Sequence, residues 1–119
     1  MMGKQSLPQA FKNAFAGIAY CTRYERNMKI QITAAVLAGG LAWWFDLDRS
    51  EIAILLLTVA SVLVAEMINT VVEAIVDMVS PEFHPLAKIA KDAAAGAVLI
   101  SAAVSLLVGC LLFSGKIWG

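Results

Sequence analysis

The sequence predicts an all-α integral membrane protein, an N-terminal amphipathic surface helix followed by three transmembrane helices in one domain covering residues 1–119. Three observations point there. Hydrophobic residues fill 61% of the 119 positions and the mean hydropathy is +0.79, above the apolar share of about 45–50% found in soluble chains. The apolar residues gather into long runs, the last of which, 93–113, carries no charge. The nine basic and nine acidic residues cluster mainly at the ends of these runs. Zero net charge gives no reason to expect a nucleic-acid partner.

The surface helix is expected at about 3–28. Leu7, Phe11, Phe15, Ile18 and Ala19 recur at helical spacing, while Lys4, Lys12 and Asn13 lie elsewhere on the wheel. Ser6 offers a cap, and Pro8 suits the first turn that follows. The first 29 residues lack an unbroken apolar core and contain Lys4, Lys12, Arg23, Arg26 and Lys29, so no cleavable signal peptide is expected.

The first span is expected at about 29–46. Its apolar run, Ile30 to Phe45, would reach only ~24 Å at 1.5 Å per residue, so it borrows a turn from the preceding segment to cross a core of ~30 Å. Trp43 and Trp44 mark a water interface. A short polar connection with Asp46, Asp48, Arg49 and Glu51 leads to the second span, about 52–79, which has no glycine or proline. Pro81 and Pro85 break the helix, and the third span follows at about 90–114. The basic N-terminal segment and Lys88 with Lys91 belong on the cytoplasmic side, which puts the N-terminus inside. Cys21 and Cys110 form no CxxC motif, and the single His84 completes no metal cluster; both thiols are expected to serve packing.

The second span holds the chemistry. Taking Glu66 as zero, Asn69 lies at about −60°, Glu73 at about −20° and Asp77 at about +20° around the helix, an arc of roughly 80°. Glu66 sits ~21 Å along the helix from Ile52, still within the membrane, where an ionisable group is costly and marks a functional site. Glu73 and its neighbours offer hard oxygen ligands suited to Mg²⁺. Glu66, the deepest, is the candidate general base. The same pattern is open to other readings. The stripe could line a water-filled oligomer interface and pair with Arg23, Arg26, Lys88 or Lys91, in a non-catalytic assembly subunit. It could also serve a small proton-coupled membrane transporter that uses the intramembrane carboxylates.

The segment Glu66 to Asp77, E-M-I-N-T-V-V-E-A-I-V-D, closely resembles the signature of the prokaryotic diacylglycerol kinase family, which includes the Gram-positive undecaprenol kinases. The order E-x-x-N-T/S-x-x-E-x-x-x-D matches at every polar position. The segment His84 to Val98, H-P-L-A-K-I-A-K-D-A-A-A-G-A-V, is similar to the Gram-positive branch, and E-R-N at 25–27 matches the stretch before the family's first span. The resemblance implies a bacterial inner-membrane homotrimer that transfers the γ-phosphate of Mg·ATP to a membrane lipid alcohol at the cytoplasmic face. Undecaprenol is favoured as acceptor, with diacylglycerol next.

By that analogy Glu66 is the base on the lipid hydroxyl, and Asn69 orients base or substrate. Glu25 and Glu73 ligate metal beside the nucleotide, which is also contacted by Gly17, Asp77, Lys91 and Asp92. Ser6 and Ala14 depart from the diacylglycerol-kinase branch, which has polar or basic nucleotide contacts there. Neither a P-loop nor a G-x-G-x-x-G motif occurs. Phosphoryl transfer depends on positioning and charge neutralisation more than on any one fold, and carboxylate-bound Mg²⁺ with Lys91 would supply both.

Overall fold

The computed structural model describes residues 5–118 as four helices: α1 (Leu7–Tyr24), α2 (Arg26–Trp44), α3 (Arg49–Val79) and α4 (Pro85–Trp118). The start of the surface helix expected at residue 3 lies outside the described residues. Ser6 caps α1, its hydroxyl accepting the Gln9 N–H at 3.3 Å, and Pro8 sits in the first turn. There the missing amide proton would have had no helical partner.

The surface helix stops at Tyr24 rather than 28. Glu25 leaves helical geometry at φ −102°, ψ 116°, donates its N–H to the Cys21 carbonyl at 3.0 Å, and becomes the N-cap of α2. A single extended residue is enough to turn the chain, and neither glycine nor proline announces it. The helix of the expected first span therefore starts at Arg26, not 29. It ends at Trp44 in a Schellman arrangement: Leu47 N–H bonds Ala42 O at 3.1 Å and Asp46 N–H bonds Trp43 O at 3.3 Å. Asp46 occupies the left-handed position at φ 56°, where glycine is usual and aspartate is tolerated at a cost.

α3 begins three residues before the expected 52 because Asp48 and Glu51 form a reciprocal capping box. Glu51 Oε1 accepts the Asp48 N–H at 3.0 Å, and Asp48 Oδ1 accepts the Glu51 N–H at 2.9 Å. α4 extends beyond 90–114 at both ends. Pro85 takes its first position, and His84 Nδ1 accepts the Leu86 N–H at 3.1 Å.

α3 and α4 pack along their lengths, α2 lies against α3, and α1 touches α2 and α3. A small core of Ala42, Leu47 and Leu55, flanked by Ala38, Val59, Leu112 and Phe113, closes the end near the α2–α3 turn. There Lys116 Nζ also reaches Glu51 Oε1 at 3.0 Å. Along the middle of the long helices much of the surface is apolar: α4 has no buried residue, and Leu99, Leu106 and Leu111 stand open. Water would not tolerate so much contiguous apolar area. α3 and α4 are each long and apolar enough to cross a membrane; α2 begins with Arg26, Asn27 and Lys29 and is shorter, at 19 residues. Cys21 is buried, as expected of a packing thiol, whereas Cys110 is exposed on α4.

Candidate active site

α3 carries the site because its period places Glu66, Asn69 and Glu73 on one side, and the break at Glu25 folds the start of α2 over that side. Glu66 is 1% exposed and Asn69 8%, whereas Glu73 and Asp77, a turn or more further on, are exposed. Asn69 Nδ2 donates to Glu73 Oε1 at 3.1 Å, as their i, i+4 spacing permits. The Thr70 hydroxyl donates to the Glu66 carbonyl at 3.1 Å, tying the helix backbone at the same level.

Glu25 and Glu73 are both near enough to repel the Glu66 carboxylate, and the Asn27 side chain also approaches it. The chain break thus delivers a third carboxylate and a second amide to the buried one. Asn27 belongs to the E-R-N segment, yet sequence reasoning gave it no role. Its spacing two residues after Glu25 was the available signal, but a helix through Glu25 would have aimed it differently.

No ion pair among the described residues involves Glu25, Glu66 or Glu73; the three that form are Lys88–Asp92, Lys91–Asp77 and Lys116–Glu51. Two buried polar atoms, Glu66 Oε2 and Asn69 Oδ1, lack a hydrogen-bond partner. Such orphans are rare in folded proteins and call for a ligand or ion. Both are oxygens, so the group that would satisfy them is a donor or a cation.

Among the described residues no three His, Cys, Asp or Glu side chains converge as a ready-made metal centre. Mg²⁺ does not require one, since it is commonly held by one or two carboxylates and completes its shell with phosphate oxygens and water. Glu25 and Glu73, neither of them in an ion pair among the described residues, are hard donors of that kind.

The other residues named from the sequence lie further out. Asp77 Oδ1 accepts from Lys91 Nζ at 2.5 Å, which joins the end of α3 to the first turns of α4. Lys88 Nζ pairs with Asp92 Oδ2 one turn along α4. Gly17 stands on the exposed surface of α1, and a Cβ added there would meet nothing within 4 Å. Nothing in the chain itself requires glycine at that point.

A model of the family described as prokaryotic diacylglycerol kinase matches residues 12–113. The chain belongs to that family. It is similar to a diacylglycerol kinase of Synechocystis, 41% identical over 105 residues that cover 87% of this chain and 60% of the relative. It is 37% identical to an undecaprenol kinase of Bacillus subtilis over 109 residues, 92% of this chain and 89% of the relative. A diacylglycerol kinase of Escherichia coli K12 is 37% identical over 88 residues, 74% and 72% of the two chains. As a member of the prokaryotic diacylglycerol kinase family the protein is a lipid kinase, a membrane-associated transferase of lipid metabolism whose reaction consumes a nucleotide. The proton-coupled transporter reading finds no support among these relatives.

Proposed function

We propose that this lipid kinase transfers the γ-phosphate of Mg·ATP to the hydroxyl of a membrane lipid alcohol, undecaprenol first and diacylglycerol second. One observation carries the reading: three carboxylates, Glu25, Glu66 and Glu73, gather with none of them in an ion pair among the described residues, and one of them is 1% exposed on an apolar helix. A site so composed needs a cation and an acceptor proton to be complete.

Glu66 takes the proton of the lipid hydroxyl, whose oxygen attacks the γ-phosphorus while the bond to the departing ADP oxygen breaks. Asn69 turns its unpartnered Oδ1 toward the incoming hydroxyl and steadies Glu73 through Nδ2. Glu25 and Glu73 would hold Mg²⁺, which supplies charge neutralisation on the phosphate oxygens. Lys91, with Asp77 and Asp92 beside it, meets the phosphates from the α4 side, and Gly17 on α1 leaves room for the nucleotide to approach the backbone.

The protein is read as a homotrimer of 1–119 domains in the bacterial inner membrane, with α2, α3 and α4 as its spans and the N-terminus inside. The positive-inside rule supports this orientation: Lys12, Arg23, Arg26 and Lys29 precede or open α2, and Lys88 and Lys91 follow α3, so both basic segments flank the spans on the side that the rule makes cytoplasmic. Undecaprenol leads because the Bacillus undecaprenol kinase matches over nearly the whole chain and the His84 to Val98 segment resembles that branch.

The test is transfer of labelled γ-phosphate from ATP by the purified protein in lipid or detergent, with undecaprenol and diacylglycerol in parallel. Label should enter one or both lipids only when Mg²⁺ is present. Transfer to neither would overturn the reading.

A further inference from the structure

The connection after α3 and the first turns of α4 enclose a recess of about 350 Å³ whose walls include Asp77, Glu82, Lys88, Lys91 and Asp92. Of its two lysines, only Lys91 has a role in the mechanism above. Lys88 lies three residues before it, so both side chains leave neighbouring points on one face of α4, with Cβ atoms ~5–6 Å apart. Each is held by a single carboxylate, Lys91 by Asp77 and Lys88 by Asp92. The Lys88 pair is open to solvent, each side chain 63% exposed. An exposed pair of this kind contributes only ~0–1 kcal/mol, so a better anion can part it.

The recess also lies at the N-terminal end of a 34-residue helix, where the backbone dipole favours negative charge. Its two lysines stand against Asp77, Glu82 and Asp92, so it does not suit a bare polyanion. It suits a polyphosphate that arrives with a divalent cation, whose phosphate oxygens take the lysines while the metal offsets the released carboxylates.

We propose that Lys88 is a second phosphate-binding cation of this recess, exchanging Asp92 for a phosphate oxygen of the magnesium-complexed polyphosphate of a nucleotide. The assignment rests on the kinase reading and adds to it a positioning residue that neither the buried carboxylates nor Lys91 replaces. No bond is made or broken in the exchange; one ion pair is traded for another.

The experiment is calorimetric binding of inorganic tripolyphosphate to the full-length protein in detergent, with and without Mg²⁺, alongside KM for Mg·ATP. Wild type should bind in the presence of Mg²⁺ and much more weakly without it. Lys88→Gln should weaken that binding by roughly 3–10-fold, the loss of one charged contact, and raise KM for Mg·ATP more than it lowers kcat. Lys88→Arg should restore both to within about twofold. Arg49→Gln, a charge removed at the opposite end of α3, should change neither.

Unaltered binding in Lys88→Gln, equal weakening in Arg49→Gln, or no binding by wild type would each overturn the proposal. So would binding that is stronger without the metal. The two readings fail separately. Lys88-dependent binding without phosphoryl transfer sinks the kinase chemistry and keeps the recess. Transfer to lipid with binding and KM indifferent to Lys88 does the reverse.

Discussion

Replacing Glu66 by Gln separates catalysis from folding, because the two should move in opposite directions. The side chain is 1% exposed, its Oε2 has no partner, and Glu25 and Glu73 stand close by. Glutamine has nearly the same shape, removes one of three mutually repelling carboxylates, and brings an N–H₂ group that can donate to those that remain. Hydrogen bonds to charged groups contribute about 1.5–3 kcal/mol, and part of that is spent on ordering, so the variant should be more stable by about 1–2 kcal/mol. The proposed proton acceptor is lost at the same time. General-base removal costs roughly 10²–10⁴ in rate, or about 2.7–5.5 kcal/mol of barrier. Thermal unfolding in detergent and labelled-phosphate transfer at saturating Mg·ATP read the two effects on one preparation. Turnover within about threefold of wild type would refute Glu66 as base. A lower unfolding midpoint would refute the account of its burial.

Asn69→Leu removes both the bond to Glu73 and the orphaned Oδ1, two effects of about 1 kcal/mol and opposite sign. Its unfolding midpoint should stay near wild type while kcat falls by at least ~10-fold. Chelation by EDTA should abolish transfer, and added Mg²⁺ should restore it in full on the same sample; activity that persists in EDTA would remove Glu25 and Glu73 as metal ligands. Glu51→Ala breaks the α3 capping box and the Lys116 pair at the far end of the helix, and should cost about 1–2 kcal/mol of stability with kcat unchanged. Asp46→Gly relieves a non-glycine residue at φ 56° and should raise stability by about 0.5–1 kcal/mol, read as a higher unfolding midpoint.

Particular residues mark where sequence reasoning succeeded and where it stopped. The stripe of Glu66, Asn69 and Glu73 was legible because helical periodicity is a local property: spacing alone puts the three side chains on one arc of α3. Ser6 and Pro8 were legible for the same reason, since a cap acts within one turn. The break at Glu25 was not, because its extended backbone stands in a polar stretch, Thr22 to Asn27, that holds neither glycine nor proline to signal a turn. Asn27 was therefore passed over, and although the first span was expected to borrow a turn from the segment before Ile30, the break that starts α2 at Arg26 was not foreseen.

Composition and period determined that the chain is helical, apolar enough for a membrane, and marked by one polar face on its long central helix. The tertiary structure decided which of those polar groups are enclosed, that Asn27 joins Glu25 beside Glu66, and that Lys91 closes on Asp77 across the connection between α3 and α4. The physical reason is range. A helix fixes the direction of its own side chains within a few residues, whereas burial and charge partners depend on segments far apart in the chain, and those are set only when the helices pack.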